Sequence, residues 1–180
     1  ACLVGSEMCI RDSYEAVVED VNLESIAERE RVTRHDVKAR IEEFNALAGY
    51  EHIHKGMTSR DLTENVEQLQ IHTSLEIIRD KAIAVVSHIG RHAAEYQSLV
   101  MAGRSHNVAA QATTLGKRFA TAGDEMLLAI ERVEDLLARY PLRGIKGPMG
   151  TSQDMLDLMG GSEDKLASLE TAIADYLGFH

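Results

Sequence analysis

An all-helical fold is what this sequence predicts, and three observations carry the prediction. Only two prolines interrupt 180 residues, apolar residues recur at threes and fours over long stretches, and no segment makes a credible sheet. With 44% hydrophobic residues and no tryptophan, the chain has enough apolar material for one domain with a real core, or for a piece of a larger one.

The first 13 residues, ACLVGSEMCIRDS, show neither helical nor strand periodicity and read as a segment foreign to the rest, of the kind a sequence-assembly artefact leaves. Both cysteines, Cys2 and Cys9, lie in it. They are too few and too terminal for a disulfide scaffold or a zinc site, so a reducing cytoplasm is the default localisation.

Residues 14–57 form a first helical region. Val17, Val21 and Ile26 give a loosely helical stretch to about Arg31. Thr33, followed three residues later by Asp36, has the pattern of a capping box and predicts a helix through Val37, Ile41, Phe44 and Leu47 that stops at Gly49. A short link, residues 50–57, then carries His52 and His54.

From residue 58 to the end the pattern lengthens. Ser59 is a second candidate N-cap, with Asp61 in the first turn where the helix dipole favours a negative side chain. Ile71, Leu75, Ile78, Ala82, Val85, Ile89, Ala93, Tyr96 and Val100 continue one stripe over about 40 residues, a rod of roughly 60 Å. A rod that long cannot bury its stripe inside a compact chain of this size. It implies a bundle continued by further sequence or by other subunits.

Residues 103–113 are a tight connection, after which Leu115, Phe119, Ala122, Met126, Ile130, Val133, Leu137 and Tyr140 make a second stripe that ends at Pro141. The two helices should lie antiparallel. Residues 142–151 form a glycine-rich crossing; Ser152 and Ser162 can each cap a short helix, and Gly178 closes the last one.

A formal charge of -10 speaks against a general nucleic-acid surface, which needs clustered positive charge. The absence of an apolar run of about 18 residues speaks against a membrane span. Yet the basic residues gather near polar clusters: Arg34 beside His35, Lys55 and Arg60 around Thr58 and Ser59, and Arg104 before His106. Three polar stations at helix entrances suit a small anionic ligand.

Each station has a bland reading. Thr33 and Asp36 are explained by capping alone, whereas in the functional reading Arg34, His35 and Asp36 meet an anion at a helix entrance. Thr58 and Ser59 are either a cap or two hydroxyls for a carboxylate, with His54 close in sequence. His106 has no apolar neighbour to draw it into a core, and an imidazole near pKa 6.5 can act as a general acid at neutral pH. His88 and His92, four apart on one helix, lack the further ligands of a metal site and read as a solvated face. Lys146, between glycines, is either a phosphate contact or a surface turn.

In sequence order, Thr33-Arg34-His35-Asp36-Val37-Lys38-Ala39, then His54-Lys55-Gly56-Met57-Thr58-Ser59-Arg60-Asp61, then Gly103-Arg104-Ser105-His106 with Gln111-Ala112-Thr113-Thr114-Leu115-Gly116-Lys117, resemble the adenylosuccinate lyases of the fumarase/aspartase superfamily. The resemblance runs from about Tyr14 to the end. It implies an all-helical homotetramer whose central long helices share one bundle, here represented by the end of the N-terminal helical domain and the start of that bundle. The implied reaction is β-elimination of fumarate from adenylosuccinate, leaving AMP, and from the succinocarboxamide ribonucleotide of purine synthesis. It needs no metal and no organic cofactor.

By the same resemblance His106 is the general acid for the departing amine. Ser105, threonine in many relatives, hydrogen-bonds the succinyl part, and Asn107 stands where many relatives have glycine. Arg34, His35 and Asp36 belong to the substrate surface, and Thr58 and Ser59 hold a succinyl carboxylate beside His54. The family's base, a serine in a mobile serine-rich loop, has no counterpart here, and neither does its N-terminal arginine-tyrosine phosphate contact. The chain is therefore expected to be an N-terminal part of a longer lyase, inactive and not tetrameric by itself. Argininosuccinate lyase and a non-catalytic helical scaffold are the alternatives.

Overall fold

The computed structural model describes residues 6–179. Of the segment read as foreign, residues 1–5 with Cys2 lie outside the described residues, as does His180. The architecture is predominantly helical: α1 (Ser6–Glu15), a single 3-10 turn (Val18–Asp20), α2 (Leu23–Thr33), α3 (Asp36–Ala48), α4 (Ser59–Glu95), strands β1 (Val100–Ser105) and β2 (Val108–Thr114), α5 (Leu115–Ala138), α6 (Gln153–Leu158) and α7 (Glu163–Leu177). No described helix is long and apolar enough to cross a membrane.

The chain divides into two compact units. The first holds residues up to Glu67 together with Leu142–Gly178, and the second holds Gln68–Pro141 with Phe179.

In the first unit the start differs from expectation. Residues 6–15 are helical although their sequence shows no apolar stripe, and the stretch expected as one loose helix is broken in two. Asn22 makes the break: its side chain accepts from the amides of Glu24 (2.8 Å) and Ser25 (3.2 Å) and opens α2. Tyr14 then ties α1 to the end of α3. Its hydroxyl, with one proton to donate, lies 2.6 Å from Asn45 Oδ1 and 2.7 Å from the Tyr50 carbonyl, and it accepts from the His52 amide at 3.1 Å.

Helices α2 and α3 pack on each other and bury Ile26, Val37 and Ala39. Glu43 is buried with them because it is paired: Ser25 Oγ (2.5 Å) and Arg29 Nε (2.8 Å) both donate to its Oε2.

The first turns of α4 are held by the glycine-rich crossing. Asp61 is 0% exposed, and its Oδ1 accepts from Arg143 Nε (3.1 Å) and the amides of Lys146 (3.0 Å) and Gly147 (3.1 Å). Its Oδ2 accepts from the amides of Thr58 (2.9 Å) and Gly147 (3.0 Å). One turn on, Asn65 donates to the Asp61 carbonyl (2.5 Å) and the Gly144 carbonyl (2.8 Å) and accepts from the Gly144 amide (2.9 Å), so both its donors and its oxygen are engaged. Lys146 pairs with Glu170 rather than standing open to a phosphate. Ser152 does not cap α6; its hydroxyl donates to the Ile145 carbonyl at 2.9 Å.

In the second unit α4 and α5 run antiparallel, as expected: Tyr96 meets Phe119, Gly123 meets Ile89, and His72 meets Tyr140. Gly116 sets the closest approach, since a Cβ there would lie 2.4 Å from the Ala93 carbonyl oxygen. Along α4 part of the apolar stripe stays uncovered within the chain, with Ile78 55% and Val85 45% exposed, whereas Ile130 of the α5 stripe is buried.

The connection between these helices corrects the expectation of no sheet. It is an antiparallel hairpin, pairing Val100 with Thr114 and Ser105 with Val108, with a bulge after Gly103. His88 contacts Arg91 and His92 contacts Glu95 on the same helix, the His92 ring also lies against Tyr96 and Phe119, and among the described residues no group of three or more His, Cys, Asp or Glu could hold a metal ion.

Both buried carboxylates are held low. Burial pushes the Asp61 carboxyl up, but the hydrogen bonds from Thr58, Lys146, Arg143 and Gly147 outweigh it and bring it below its ordinary 3.8. The Ser25 hydrogen bond, against burial and with the help of Arg29, brings Glu43 below its ordinary 4.5. A carboxylate whose folded pKa is depressed contributes stability that is complete above its ordinary value and is lost as pH falls through the folded one. Urea unfolding should therefore be level from neutrality down to about pH 5 and weaken progressively below it, with a shallower decline in Glu43→Gln. Stability rising on acidification would contradict this.

Candidate active site

The sequence marks two stations in the first unit, and the structure brings parts of both together. At the first, Arg34 closes α2 in the left-handed region (φ 52°), and its amide donates to the Glu30 carbonyl at 2.8 Å. This turn hands the chain to His35, which, rather than Thr33, is the N-cap of α3. His35 Nδ1 accepts from the Lys38 amide at 3.3 Å, which assigns the ring proton to Nε2. Thr33 belongs to the end of α2 and bonds the His35 backbone.

At the second station Thr58 and Ser59 open α4. The Thr58 amide is taken by Asp61 Oδ2, while the Thr58 carbonyl accepts from the Asp61 amide at 3.0 Å. This reciprocal pair fixes the backbone and leaves the side-chain hydroxyl as a separate donor.

The two stations share a concavity of about 430 Å³ whose lining includes His35, Lys38, Glu42, His54, Thr58 and Ser59. His54 contributes a buried Nε2 without a hydrogen-bond partner among the described residues, a group that costs free energy unless a ligand or water meets it. Two imidazoles, two hydroxyls and the N-terminus of a 37-residue helix make a wall rich in donors, suited to a small carboxylate. Arg34 and Asp36 do not line it. Asp36 instead lies 3.6 Å from Arg40 and 3.5 Å from His35 Nδ1.

The third station, in the second unit, is the hairpin tip. His106 (φ 51°) and Asn107 (φ 65°) are the two central residues of its turn, and Arg104 donates to the Asn107 carbonyl at 3.0 Å. Two consecutive positive φ values define the tight turn whose twist matches a hairpin. His106 is thus an exposed turn residue at a strand end, not a residue entering a helix. Ser105 lines a groove of about 660 Å³ with Arg104, Gln111, Lys117, Arg118 and Glu125; His106 is not in that lining.

Sequence reasoning missed Asp61, Asn65 and Arg143 as the scaffold behind Thr58 and Ser59. The spacing of Asp61 from Thr58 fits a capping box, but nothing local announces a partner more than 80 residues away.

A family model described as Lyase matches residues 6–154. Adenylosuccinate lyase of Saccharomyces cerevisiae is 34% identical over 166 residues, covering 90% of this chain and 34% of that relative. Adenylosuccinate lyase of Schistosoma mansoni is 30% identical over 165 residues, covering 89% and 34%. The chain thus spans about a third of the length of the curated relatives it matches. Among solved structures, a fumarate lyase from Mesorhizobium sp. BNC1 superposes with a TM-score of 0.79 at 20% identity, covering 94% of this chain and 39% of that one.

The hairpin turn makes a checkable demand. A β-branched residue in the left-handed region costs about 1–2 kcal/mol, so Asn107→Val should lower hydrogen-exchange protection across β1 and β2, whereas Asn107→Gly should preserve or raise it. Equal protection in both variants would show that the turn is not built as described.

Proposed function

This chain belongs to the fumarase/aspartase superfamily of lyases, and from that premise we propose that it is part of an adenylosuccinate lyase. The substrate is a succinylated purine nucleotide, the reaction a β-elimination that breaks a carbon–nitrogen bond, and the working assembly a homotetramer of longer chains. The observation that carries the reading is the shared concavity of His35, His54, Thr58 and Ser59. The similarity to adenylosuccinate lyases over nine-tenths of the chain supports the substrate.

In this reading the elimination runs as follows. A base outside this chain takes the proton from the carbon next to a succinyl carboxylate, whose oxygens receive the charge as an aci-carboxylate. The Thr58 and Ser59 hydroxyls donate to that carboxylate, and one well-placed donor lowers such a barrier by about 3–4 kcal/mol. The carbon–nitrogen bond then breaks, its electron pair goes to nitrogen, and His106 delivers the proton that makes the amine a competent leaving group. Fumarate and AMP result.

Ser105 hydrogen-bonds the succinyl part. His54 Nε2, unpartnered among the described residues, meets the bound substrate. Arg34, His35 and Asp36 belong to the substrate surface, with His35 nearest the bound anion. The half-exposed apolar residues of α4 are what a bundle helix shows when its remaining neighbours come from other chains or other parts of the protein.

The full-length protein carrying this chain should release fumarate from adenylosuccinate and leave argininosuccinate and malate unchanged. Its His106→Gln variant should lose roughly 10²–10⁴ in kcat with helical content intact. Fumarate release from argininosuccinate alone would move the assignment to a neighbouring lyase. Unaltered turnover in His106→Gln would remove the general acid.

A further inference from the structure

The wall that holds Thr58 and Ser59 is fixed from behind, by a residue that faces no solvent. We infer that Asp61, which rests here on the lyase reading above, is a positioning residue that sets the carboxylate-binding hydroxyls through the residue 143–147 crossing.

Four observations carry this. Thr58 lines the concavity while its amide is bound by Asp61 Oδ2 at 2.9 Å, so one residue is both wall and anchor point. The opposite oxygen of Asp61 accepts from Arg143 and from the amides of Lys146 and Gly147 at 3.0–3.1 Å. Gly147 reaches the carboxylate with φ at 70°, a conformation that an L side chain would strain. Arg143 is in turn held by Glu64 Oε2 (2.5 Å) and the Gly147 carbonyl (3.1 Å).

Every acceptor position of Asp61 that the structure shows is therefore spoken for, and none faces the concavity as a ligand group. Its effect on a bound molecule runs through the Thr58 backbone. A carboxylate can accept from all these donors at once, while a carboxamide must present its NH₂ to one of them. Thr58 then loses its fixed backbone position, and the two hydroxyls lose their shared aim. Because the hydroxyls are assigned to the succinyl carboxylate both when it binds and as it takes up charge, the loss should fall on binding and on the chemical step together.

The test uses the full-length protein. Asp61→Asn should raise KM for adenylosuccinate about tenfold and the inhibition constant for fumarate by a similar factor, and lower kcat as well. Arg143→Gln should move both constants in the same direction by a smaller factor. A purely structural role would instead lower the melting temperature and the active fraction with both constants unmoved. That result in a folded Asp61→Asn protein overturns the inference. Should Asp61→Asn fail to fold, unmoved constants in Arg143→Gln overturn it equally. A wild-type protein that does not cleave adenylosuccinate defeats the lyase reading and this inference together; an active wild type with unmoved constants in the variants defeats only this one.

Discussion

A carboxylate with no contact to water has to be met by donors from the protein, and Asp61 imposes that requirement on the whole first unit. Burying a charge unpaired would cost many kcal/mol, so the only folds open to this sequence are those that bring donors to it. Two of those donors are backbone amides of the residue 142–151 crossing, and a third is Arg143. The crossing can supply two amides to a single oxygen only by bending sharply, which the positive φ angles of Gly144 and Gly147 permit. What such a buried network contributes is less a large net stability than a single geometry. Here that geometry is the register between the entrance of α4 and the chain more than 80 residues later.

The second unit solves its own connection with close backbone approach. Gly116 lets α5 start against the carbonyls at the end of α4: the Leu115 amide donates to Leu99 O and the Gly116 amide to Tyr96 O, both at 2.9 Å. Two donors that a helix start would otherwise leave unpaired are used in this way. Between the helices the chain makes a hairpin whose turn residues are histidine and asparagine, both in the left-handed region. Both residue types enter that region more readily than most side chains, although glycine would do so at no steric cost.

Helix existence and the antiparallel pairing of α4 and α5 were legible because both rest on periodic apolar residues, the strongest local signal there is. The hairpin was not, because Val100-Met101-Ala102-Gly103-Arg104-Ser105 carries no polar–apolar alternation in its residue types, and its partner strand is exposed over its first five residues, so no core-facing pattern is written into it. The cap of α3 was misassigned by two residues since threonine is the commoner cap and histidine a rare one; only the Nδ1 contact to Lys38 decides it. His35, His54, Thr58 and Ser59 could be named from residue type and spacing. Their convergence, and the exclusion of Arg34 and Asp36 from the concavity, depend on how α2 turns into α3. The role of Asp61 was legible only as a cap, since its partners lie beyond any local window.

The proposed chemistry and the packing ask for the same thing. Protonating a leaving amine while stabilising an aci-carboxylate requires donors from both ends of the substrate at once, and here those donors sit on different compact units, Thr58 and Ser59 on one and His106 on the other. A 37-residue helix with half-exposed isoleucines and valines asks for further helices along its length, at about 25 cal/mol for each Å² of apolar surface they would cover. In a lyase assembled from several long chains, association of these helices would bury the stripe and build the catalytic surroundings in a single event. In the proposed reading, that coupling would complete the surroundings of an acid carried on a two-residue hairpin turn.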